Sequence, residues 1–313
     1  MKVLLTGASS FTGMWFARAL SQADVQVTAT LTRGSAAEYP EAQRRARIVE
    51  VERSANVAYG MRFGDDAFLE LLREAGPFDA LCHHGADVTD YKSPDFDVAR
   101  AVANNTHNLR PVLRILADSG CKRLLLTGSV FEGGEGAGSQ GLPHFSPYGL
   151  SKAVTAEAFR YYAAEAGISL GKFVIPNPFG PHEEPRFTAY LMRTWRAGEV
   201  PRVQTPAYVR DNIHVDLLAR AYARFVRELP VGPGFCKLSP SGYVESQGAF
   251  AQRFAREVGS RLNLACPIEE ALQTEYPEPR IRLGTDVPDA QVLGFDESRA
   301  WDAIAEFYAA QTG

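Results

Sequence analysis

Cysteine is scarce in this sequence, and its placement argues against both a disulfide framework and a zinc site. The two adjacent histidines, His83 and His84, would point to opposite faces of a strand, which is a poor geometry for joint ligation of one metal ion. The thiols lie far apart and show no C-x-x-C spacing: Cys82, Cys121, Cys236 and Cys266. We therefore expect no metal centre and predict that these cysteines act as small apolar side chains.

The sequence also lacks a long apolar run and an excess of basic charge. No stretch approaches the roughly 20 apolar residues that a membrane-spanning helix requires, and strand-forming residues begin at Val3, which leaves no room for a signal peptide. The 33 basic residues are scattered among 37 acidic ones, for a net charge of −4, so there is no basic field for nucleic acid. We expect a cytoplasmic protein that binds neither membranes nor nucleic acid.

Strand and helix patterns alternate through the first part of this chain of 313 residues. Apolar patterns typical of strands lie at 3–5, 25–31, 78–83, 122–127 and 169–175, with another short apolar pattern at 47–52. Helical patterns lie between them at 13–23, 66–74, 96–119 and 148–166. This alternation predicts an α/β fold with a Rossmann-type doubly wound parallel sheet, whose ligands bind beyond the carboxyl ends of the strands.

The pattern changes after Pro176, where prolines interrupt the chain repeatedly. Helical patterns recur at 187–197, 215–228, 247–258 and 297–309, and a strand pattern at 234–238. The helix at 215–228 and the strand at 234–238 form an αβ unit that returns to the sheet. We predict a substrate cleft between two domains. These are a dinucleotide-binding domain at 1–175, with 209–238 returning to it, and a smaller, mostly helical substrate lobe at 176–208 and 239–313.

The first apolar strand leads into a glycine turn and then into a helix. Glycines at this spacing let the backbone turn sharply and approach a pyrophosphate, whose charge is then held by N–H groups at the helix N-terminus. Ser10 replaces the middle glycine of the extended pattern, and such turns also occur for structural reasons alone. As a dinucleotide site, the turn would contact the cofactor through Gly7, Ser9, Ser10, Phe11, Thr12 and Gly13.

A tyrosine and a lysine stand four residues apart at the start of a predicted helix, after a glycine-rich loop at 128–147. At this spacing Tyr148 and Lys152 share one helix face. The Lys152 ammonium would stabilise a phenolate and lower a pKa that is ordinarily about 10, so that Tyr148 can exchange a proton near neutral pH. The pair follows Thr127, at the carboxyl end of an apolar strand, by 21 residues. That position favours catalysis over a chance pairing.

Seven motifs, in order, resemble those of the extended short-chain dehydrogenase/reductases, specifically the NAD-dependent epimerase/dehydratase family that acts on nucleotide sugars. The resemblance spans almost the whole chain. The matching segments are Gly7 to Gly13, His83-His84-Gly85-Ala86, Asn105, Thr127-Gly128-Ser129-Val130-Phe131, Tyr148 with Lys152, Pro176 to Pro181, and Arg210 to Asp216. Each segment alone also has a structural explanation, such as a proline-rich turn or a helix cap.

The resemblance implies catalytic and binding roles for particular residues. Thr127 would hydrogen-bond the reacting oxygen, Tyr148 would be the acid or base, and Lys152 would tune Tyr148 and bind the nicotinamide ribose. Ser129 is a second hydroxyl on the same strand face, if the strand continues that far. Other cofactor contacts are implied for His83, Gly85, Ala86 and Asn105, and substrate contacts for Asn177 and Arg210, whose guanidinium suits a sugar-nucleotide diphosphate.

Two departures from the family pattern bear on the expected chemistry. Where many relatives have Asp after Gly in the adenine pocket, this chain has Met61. The 4,6-dehydratases of the family place Asp-Glu directly after the catalytic Thr, whereas Gly128 and Ser129 follow Thr127 here. Glu132 lies too far along the loop to take their place. We therefore do not expect dehydration.

The end of the second strand predicts NADP as the cofactor, with NAD as the alternative. An Asp or Glu about 20 residues past the glycines normally binds the ribose 2′-hydroxyl. This region contains Thr30-Leu31-Thr32-Arg33-Gly34 and has no carboxylate. Arg33 is placed to bind a 2′-phosphate. The alternative is that Arg33 is a solvated loop residue.

The predicted reaction is reduction of a 4-keto hexose or deoxyhexose carried on a nucleotide. C4 epimerisation uses the same residues with a tightly held NAD and stays open, as does reduction of a small ketone or aldehyde. A dinucleotide-sensing protein without catalysis is disfavoured, because sensors of this fold commonly lack the Tyr and Lys pair. By analogy with the family, we expect a homodimer formed through the predicted helices 96–119 and 148–166.

Overall fold

The computed structural model describes residues 1–139 and 141–312, and the chain divides into two compact units. The first unit comprises Met1–Glu135, Pro143–Ile175 and Ala219–Ser239. The second comprises Gly136–Leu142, Pro176–Leu218 and Pro240–Gly313. Within the described ranges, no helix is both long and apolar enough to cross a membrane.

The helices and strands alternate regularly up to residue 175 and are shorter and more varied beyond it. In chain order, the first group comprises β1 (Lys2–Thr6), α1 (Phe11–Gln22), β2 (Gln26–Thr30), α2 (Ala42–Ser54), β3 (Asn56–Ala58), α3 (Asp66–Glu74), β4 (Ala80–His83), α4 (Val98–Asn105), α5 (Leu109–Asp118), β5 (Arg123–Ser129), α6 (Pro147–Glu165) and β6 (Ser169–Ile175). The second group comprises β7 (Asn177–Phe179), α7 (Phe187–Arg196), β8 (Arg202–Val203), β9 (Val209–His214), α8 (Val215–Glu228), β10 (Gly234–Leu238), β11 (Tyr243–Ser246), α9 (Gln247–Leu262), β12 (Glu269–Glu270), β13 (Ile281–Arg282) and α10 (Glu297–Ala309).

The first unit contains a seven-stranded parallel sheet in the order β10-β6-β5-β4-β1-β2-β3. The chain fills one side of β1 with β2 and β3 and then crosses to β4 on the other side. This reversal of strand order confirms the predicted doubly wound, Rossmann-type sheet. It also places the crevice for a ligand beyond the carboxyl ends of β1 and β4, where Thr6 lies in register with His83.

Apolar side chains cover both faces of this sheet. On one face, Leu81 and Leu124 pack with α3, α5 and α6, and the Phe159 ring of α6 is fully buried there. Phe16 of α1 stacks on Tyr222 of α8, with ring centroids 3.8 Å apart and planes 4° from parallel. The helix α8 and strand β10 therefore return to the sheet as the sequence predicted.

Two predicted elements in the first unit differ from the structure. The apolar pattern at 47–52 lies in the helix α2, because its buried residues Ile48 and Val51 are three positions apart, which is a helical spacing. The single helix predicted at 96–119 is two helices, α4 and α5. Asn108 between them has a left-handed backbone, with φ of 48°, and its amide donates to the Gly64 carbonyl at 2.8 Å.

The second unit combines helices with short strands that the sequence analysis did not predict. Its β9 pairs with β7, β11 and β13, so the segment 209–214 belongs to this small sheet and not to the parallel sheet. Strands of two to six residues leave too short a pattern to recognise in a proline-rich stretch. A cluster of large rings forms the core: Phe179, Trp195, Phe250, Phe254 and Trp301.

Candidate functional site

The glycine turn connects β1 to α1 with the close backbone packing that a dinucleotide site needs. Gly7 has φ of +73°, and a Cβ there would lie 2.7 Å from the Gly85 nitrogen. A Cβ on Gly13 would lie 2.2 Å from the Gly7 carbonyl oxygen. The Ser10 hydroxyl caps α1 by accepting from the Gly13 amide at 3.1 Å and donates to the Gly7 carbonyl at 2.9 Å. The turn and the N-terminus of α1 fit a pyrophosphate.

The carboxyl ends of β1 and β4 are joined by Thr6, a residue that the sequence analysis did not single out. Its hydroxyl accepts from the amides of His84 and Gly85 at 3.1 and 2.9 Å and bonds to His83 Nδ1 at 3.0 Å. Burial lowers the pKa of His83 to about 3, so this ring is neutral. The half-buried Ala86 follows directly. This arrangement fixes the backbone of the predicted cofactor residues 83–86.

The His84 side chain connects the glycine turn to Thr127. Its Nε2 lies 3.0 Å from both Ser10 Oγ and Thr12 Oγ1, and its Nδ1 lies 3.0 Å from Thr127 Oγ1. Burial and the nearby Lys152 ammonium lower the pKa of His84 to about 3. The motif at 83–86 includes His84 but assigns it no role, and this connection could not be predicted from the sequence.

Lys152 reaches the end of β5 from the first turns of α6. Its ammonium is buried and donates to the Thr127 carbonyl at 2.6 Å. Burial lowers the Lys152 pKa, Glu132 opposes that shift, and Lys172 adds to it. One helical turn earlier, the half-buried Tyr148 ring meets Tyr91 and Phe96 edge to face, at 5.5 and 5.9 Å between centroids. Lys152 therefore lies at the carboxyl end of β5, and Tyr148 lies one turn before it on α6.

The segment after Thr127 leads into a buried ionic cluster. Strand β5 extends to Ser129, whose hydroxyl accepts from the Phe131 amide at 3.2 Å. Glu132 accepts from the Ser129 amide at 2.7 Å and from Lys172 at 2.5 Å. A Cβ on Gly128 would lie 2.8 Å from Lys172 Cε. A side chain immediately after Thr127 would have to displace the end of the Lys172 side chain.

Asn105, at the end of α4, connects the loop after β4 to α6. Its amide oxygen accepts from the Asp87 amide at 2.7 Å, and its amide nitrogen donates to Thr155 Oγ1 at 3.3 Å. The side chain is buried. These bonds support the predicted cofactor segment that includes Gly85 and Ala86.

The loop after β2 contains Arg33, which is exposed. A second arginine, Arg44 on α2, stacks over Tyr39 and donates from Nε and Nη2 to Ser9 Oγ, at 3.1 and 3.0 Å. The carboxylate of Glu38 is used within the loop, where it accepts from the Gly34 amide at 3.1 Å. No motif in the sequence marks Arg44, which precedes the short apolar pattern at 47–52.

The predicted substrate residues belong to the second unit. Asn177 donates to the Asp211 carbonyl at 3.2 Å. Arg210 stacks on Tyr208 and pairs with Glu278 at 2.8 Å. Arg282, which the sequence analysis missed, lies in register with Arg210 on the neighbouring strand β13 and is buried. Burial and Arg210 lower the pKa of Arg282. Two adjacent guanidinium groups favour an anionic ligand.

The described residues were also compared with the arrangement that a metal ion requires. Across residues 1–139 and 141–312, no group of three or more His, Cys, Asp or Glu side chains is arranged to hold a metal ion. The four cysteines are free thiols, and Cys82 and Cys121 are buried.

Solved structures of nucleotide-sugar enzymes share this fold at low identity. UDP-glucose 4-epimerase from Thermotoga maritima, with UDP-glucose, is 18% identical, with a TM-score of 0.72 over 100% of both chains. A UDP-glucuronic acid 4-epimerase variant from Bacillus cereus, with NAD, is 16% identical, with a TM-score of 0.74 over 99% of this chain and 100% of that one. dTDP-glucose 4,6-dehydratase from Streptomyces venezuelae, with NAD, is 18% identical, with a TM-score of 0.70 over 99% and 97%. No curated protein sequence matches the chain.

The model of the NAD dependent epimerase/dehydratase family matches residues 3–234. That segment contains the glycine turn, the His84 connection, the Tyr148 and Lys152 pair, Asn177 and Arg210. The match covers most of the chain and confirms the resemblance drawn from the motifs. The chain belongs to the NAD dependent epimerase/dehydratase family.

Proposed function

We propose that this enzyme reduces the C4 keto group of a nucleotide-activated hexose or deoxyhexose. The observation that carries the proposal is the continuous set of hydrogen bonds from Lys152 to Thr127, through His84, to the glycine turn. It joins the proposed reacting centre to the proposed cofactor site. When bound, the nicotinamide supplies the hydride that the carbonyl carbon accepts, and the cofactor is oxidised.

The protein residues supply the proton and hold the oxygen. The Tyr148 hydroxyl donates its proton to the carbonyl oxygen as the hydride arrives, so the ketone becomes an alcohol and Tyr148 becomes a phenolate, which solvent reprotonates. The buried Lys152 ammonium, whose proton is held less tightly than usual, stabilises that phenolate. Thr127 Oγ1 hydrogen-bonds the same oxygen once it has become the hydroxyl of the product, and Ser129 is the alternative hydroxyl.

Elimination of water needs an acid and a base in addition to Tyr148. The carboxylate nearest to Thr127 in sequence, Glu132, is only 1% exposed and is bonded to Lys172 and to the Ser129 amide. Lys172 also occupies the space that a side chain at position 128 would need. These contacts support reduction or epimerisation over dehydration.

The contacts of the glycine turn support NADP as the cofactor. Arg33 follows β2 where a ribose-binding carboxylate would otherwise stand, and Arg44 touches Ser9 in the turn. In fluorescence titrations we expect NADP to bind more tightly than NAD. Arg33→Ala and Arg44→Ala should each weaken NADP binding on the order of tenfold, and NAD binding less. Arg114→Ala, on the exposed face of α5, is the matched control. Tighter NAD binding, or unchanged NADP binding in Arg33→Ala, would refute this preference.

The second unit supports a nucleotide diphosphate as the recognised part of the substrate. Arg210 and Arg282 lie side by side, and phosphate oxygens would compete with Glu278 for Arg210.

We also propose a homodimer through α5 and α6, because α6 exposes apolar surface at Val154 and Tyr161, which are 43% and 68% exposed.

C4 epimerisation is the second candidate, since several solved structures with this fold are 4-epimerases with bound NAD. One assay separates the two reactions. Purified enzyme receives a nucleotide 4-keto-6-deoxyhexose with NADPH, and separately a nucleotide hexose without added cofactor. We expect loss of nicotinamide absorbance in the first and no new sugar in the second. A flat absorbance with accumulation of the C4 epimer would rule out the reductase.

A variant of Tyr148 tests the acid role in whichever reaction is found. We expect Tyr148→Phe to abolish turnover with cofactor affinity nearly unchanged, because the hydroxyl donates a proton and holds little of the dinucleotide. Tyr91→Phe, which keeps the ring contact, is the matched control. Retention of a tenth or more of the activity, a loss below about 1.4 kcal/mol, would remove Tyr148 from this role.

A further inference from the structure

The hydrogen bonds around His84 can be assigned a direction by counting protons. The Ser10 hydroxyl already donates to the Gly7 carbonyl and accepts from the Gly13 amide. Its remaining capacity is one lone pair, so it can only accept from His84 Nε2, 3.0 Å away. Nε2 therefore carries the ring proton. In a neutral imidazole Nδ1 is then an acceptor, and the Thr127 hydroxyl must donate to it.

The ring has little freedom to leave this arrangement. Phe16 packs against His84 edge to face at 5.1 Å, and Thr12 Oγ1 lies 3.0 Å from Nε2 as a second acceptor for the same proton. Because the pKa is lowered to about 3, His84 is neutral near pH 7, and Nδ1 keeps its lone pair.

We propose that His84 is a positioning residue that accepts the Thr127 hydroxyl proton at Nδ1, donates from Nε2 to the glycine turn, and thereby fixes Thr127 relative to the bound dinucleotide. The proposal rests on the proposed function for the role of Thr127. It has one chemical consequence. With its proton committed to His84, Thr127 Oγ1 faces the substrate with lone pairs and accepts the hydrogen of a sugar hydroxyl. His84 thus orients Thr127 for the alcohol form of the reacting carbon.

Two amide variants separate the two ends of the ring. The Asn side chain can place an amide near the position of Nδ1, and Gln near that of Nε2. We expect His84→Asn to keep kcat within about threefold and to weaken dinucleotide binding up to about tenfold. His84→Gln should keep dinucleotide binding within about twofold and lower kcat on the order of tenfold. His84→Phe, which preserves the ring contact with Phe16, should show both defects. Thermal melts confirm that each variant is folded.

The outcomes that overturn the proposal are specific. If Asn and Gln variants show the same profile, or if His84→Phe changes neither kcat nor dinucleotide affinity beyond twofold, His84 only fills space. A readout independent of turnover is the ring-nitrogen chemical shifts of isotope-labelled histidine, expected to show a protonated Nε2 and a bare Nδ1. A protonated Nδ1 would overturn the direction of the hydrogen bonds. Failure of Tyr148→Phe to abolish activity would instead refute the proposed function and leave these shifts unaffected.

Discussion

Removal of Lys172 should be far more damaging than removal of a surface arginine from an ion pair. The Lys172 ammonium bonds to Glu132 at 2.5 Å and to Glu135 at 2.8 Å, and these three side chains are 10%, 1% and 9% exposed. Lys172→Met keeps most of the side-chain volume and deletes the charge. The two carboxylates then remain buried. Glu135 keeps an ion pair with the 41% exposed Lys237, and Glu132 keeps only the longer-range attraction of the Lys152 ammonium.

Breaking a buried pair by removing one partner costs about 3–5 kcal/mol, because an uncompensated charge stays in the interior. Lys237 still compensates Glu135, so the lower end applies, and we expect Lys172→Met to lower the free energy of unfolding by about 3 kcal/mol. The double variant Lys172→Met with Glu132→Gln removes the orphaned charge and should recover at least about 1 kcal/mol of that loss.

The loss should depend on pH in a defined direction. Burial raises the pKa of Glu135, but bonds from Lys172 and Lys237 outweigh that effect and lower it overall. A lowered carboxyl pKa stabilises the folded state above the unfolded value of about 4.3, and the stabilisation is lost as the pH falls through the folded value. Without Lys172, burial favours protonation of the orphaned carboxylates, so the difference between Lys172→Met and the wild type should be largest near pH 8 and shrink as the pH falls.

Urea denaturation followed by circular dichroism measures these differences. Arg202→Met is the matched control, since Arg202 pairs with Glu269 while both side chains are more than half exposed, and it should cost less than about 0.5 kcal/mol. If Lys172→Met loses no more than Arg202→Met, the cluster does not stabilise the end of β5.

Three further substitutions test the turn, the loop and the second unit. Gly13→Ala places a Cβ 2.2 Å from the Gly7 oxygen. It should weaken dinucleotide binding about tenfold or more and lower the free energy of unfolding by about 2 kcal/mol. Unchanged titration and melting curves would contradict this. Gly128→Asp should destabilise by about 1–3 kcal/mol against Lys172 and yield no dehydrated sugar by mass spectrometry, whereas a product lighter by one water would show that the loop accommodates the acid. Burial raises the pKa of Glu183 to about 7, so the free energy of unfolding should fall by about 3 kcal/mol as the pH rises from 4.3 to 7. Glu183→Gln should remove most of this dependence of stability on pH, and an unchanged dependence would contradict the raised pKa.

Elements with a clear apolar pattern could be predicted from the sequence with correct bounds. Helices α3 and α8 begin and end at the predicted residues, because their apolar residues follow a helical period. Strand β6 does so because it is a short apolar run that is buried on both faces. The short apolar pattern at 47–52 does not identify α2, because it is only part of that helix and its two buried apolar positions do not define a period.

The motifs placed the predicted catalytic residues at the ends of β5 and α6, but they gave no information on what the neighbouring charges do. Gly128 looked like a missing acid in the sequence. In the structure it is the space that Lys172 requires, and Lys172 lies 44 positions later on an adjacent strand. A one-dimensional comparison with the family pattern cannot show that a substitution is compensated by a contact across the sheet.

The two adjacent histidines have different partners because they follow the alternation of a strand. Because successive side chains point to opposite faces, His83 packs on Phe159 of α6 while His84 packs on Phe16 of α1. The same rule that made the pair a poor metal site therefore requires two different sets of partners. The partners of His84 come from Ser10, 74 positions earlier, and Thr127, 43 positions later. Only the order of β1, β4 and β5 in the sheet brings those hydroxyls to one ring, so the role of His84 follows from topology and not from any local motif.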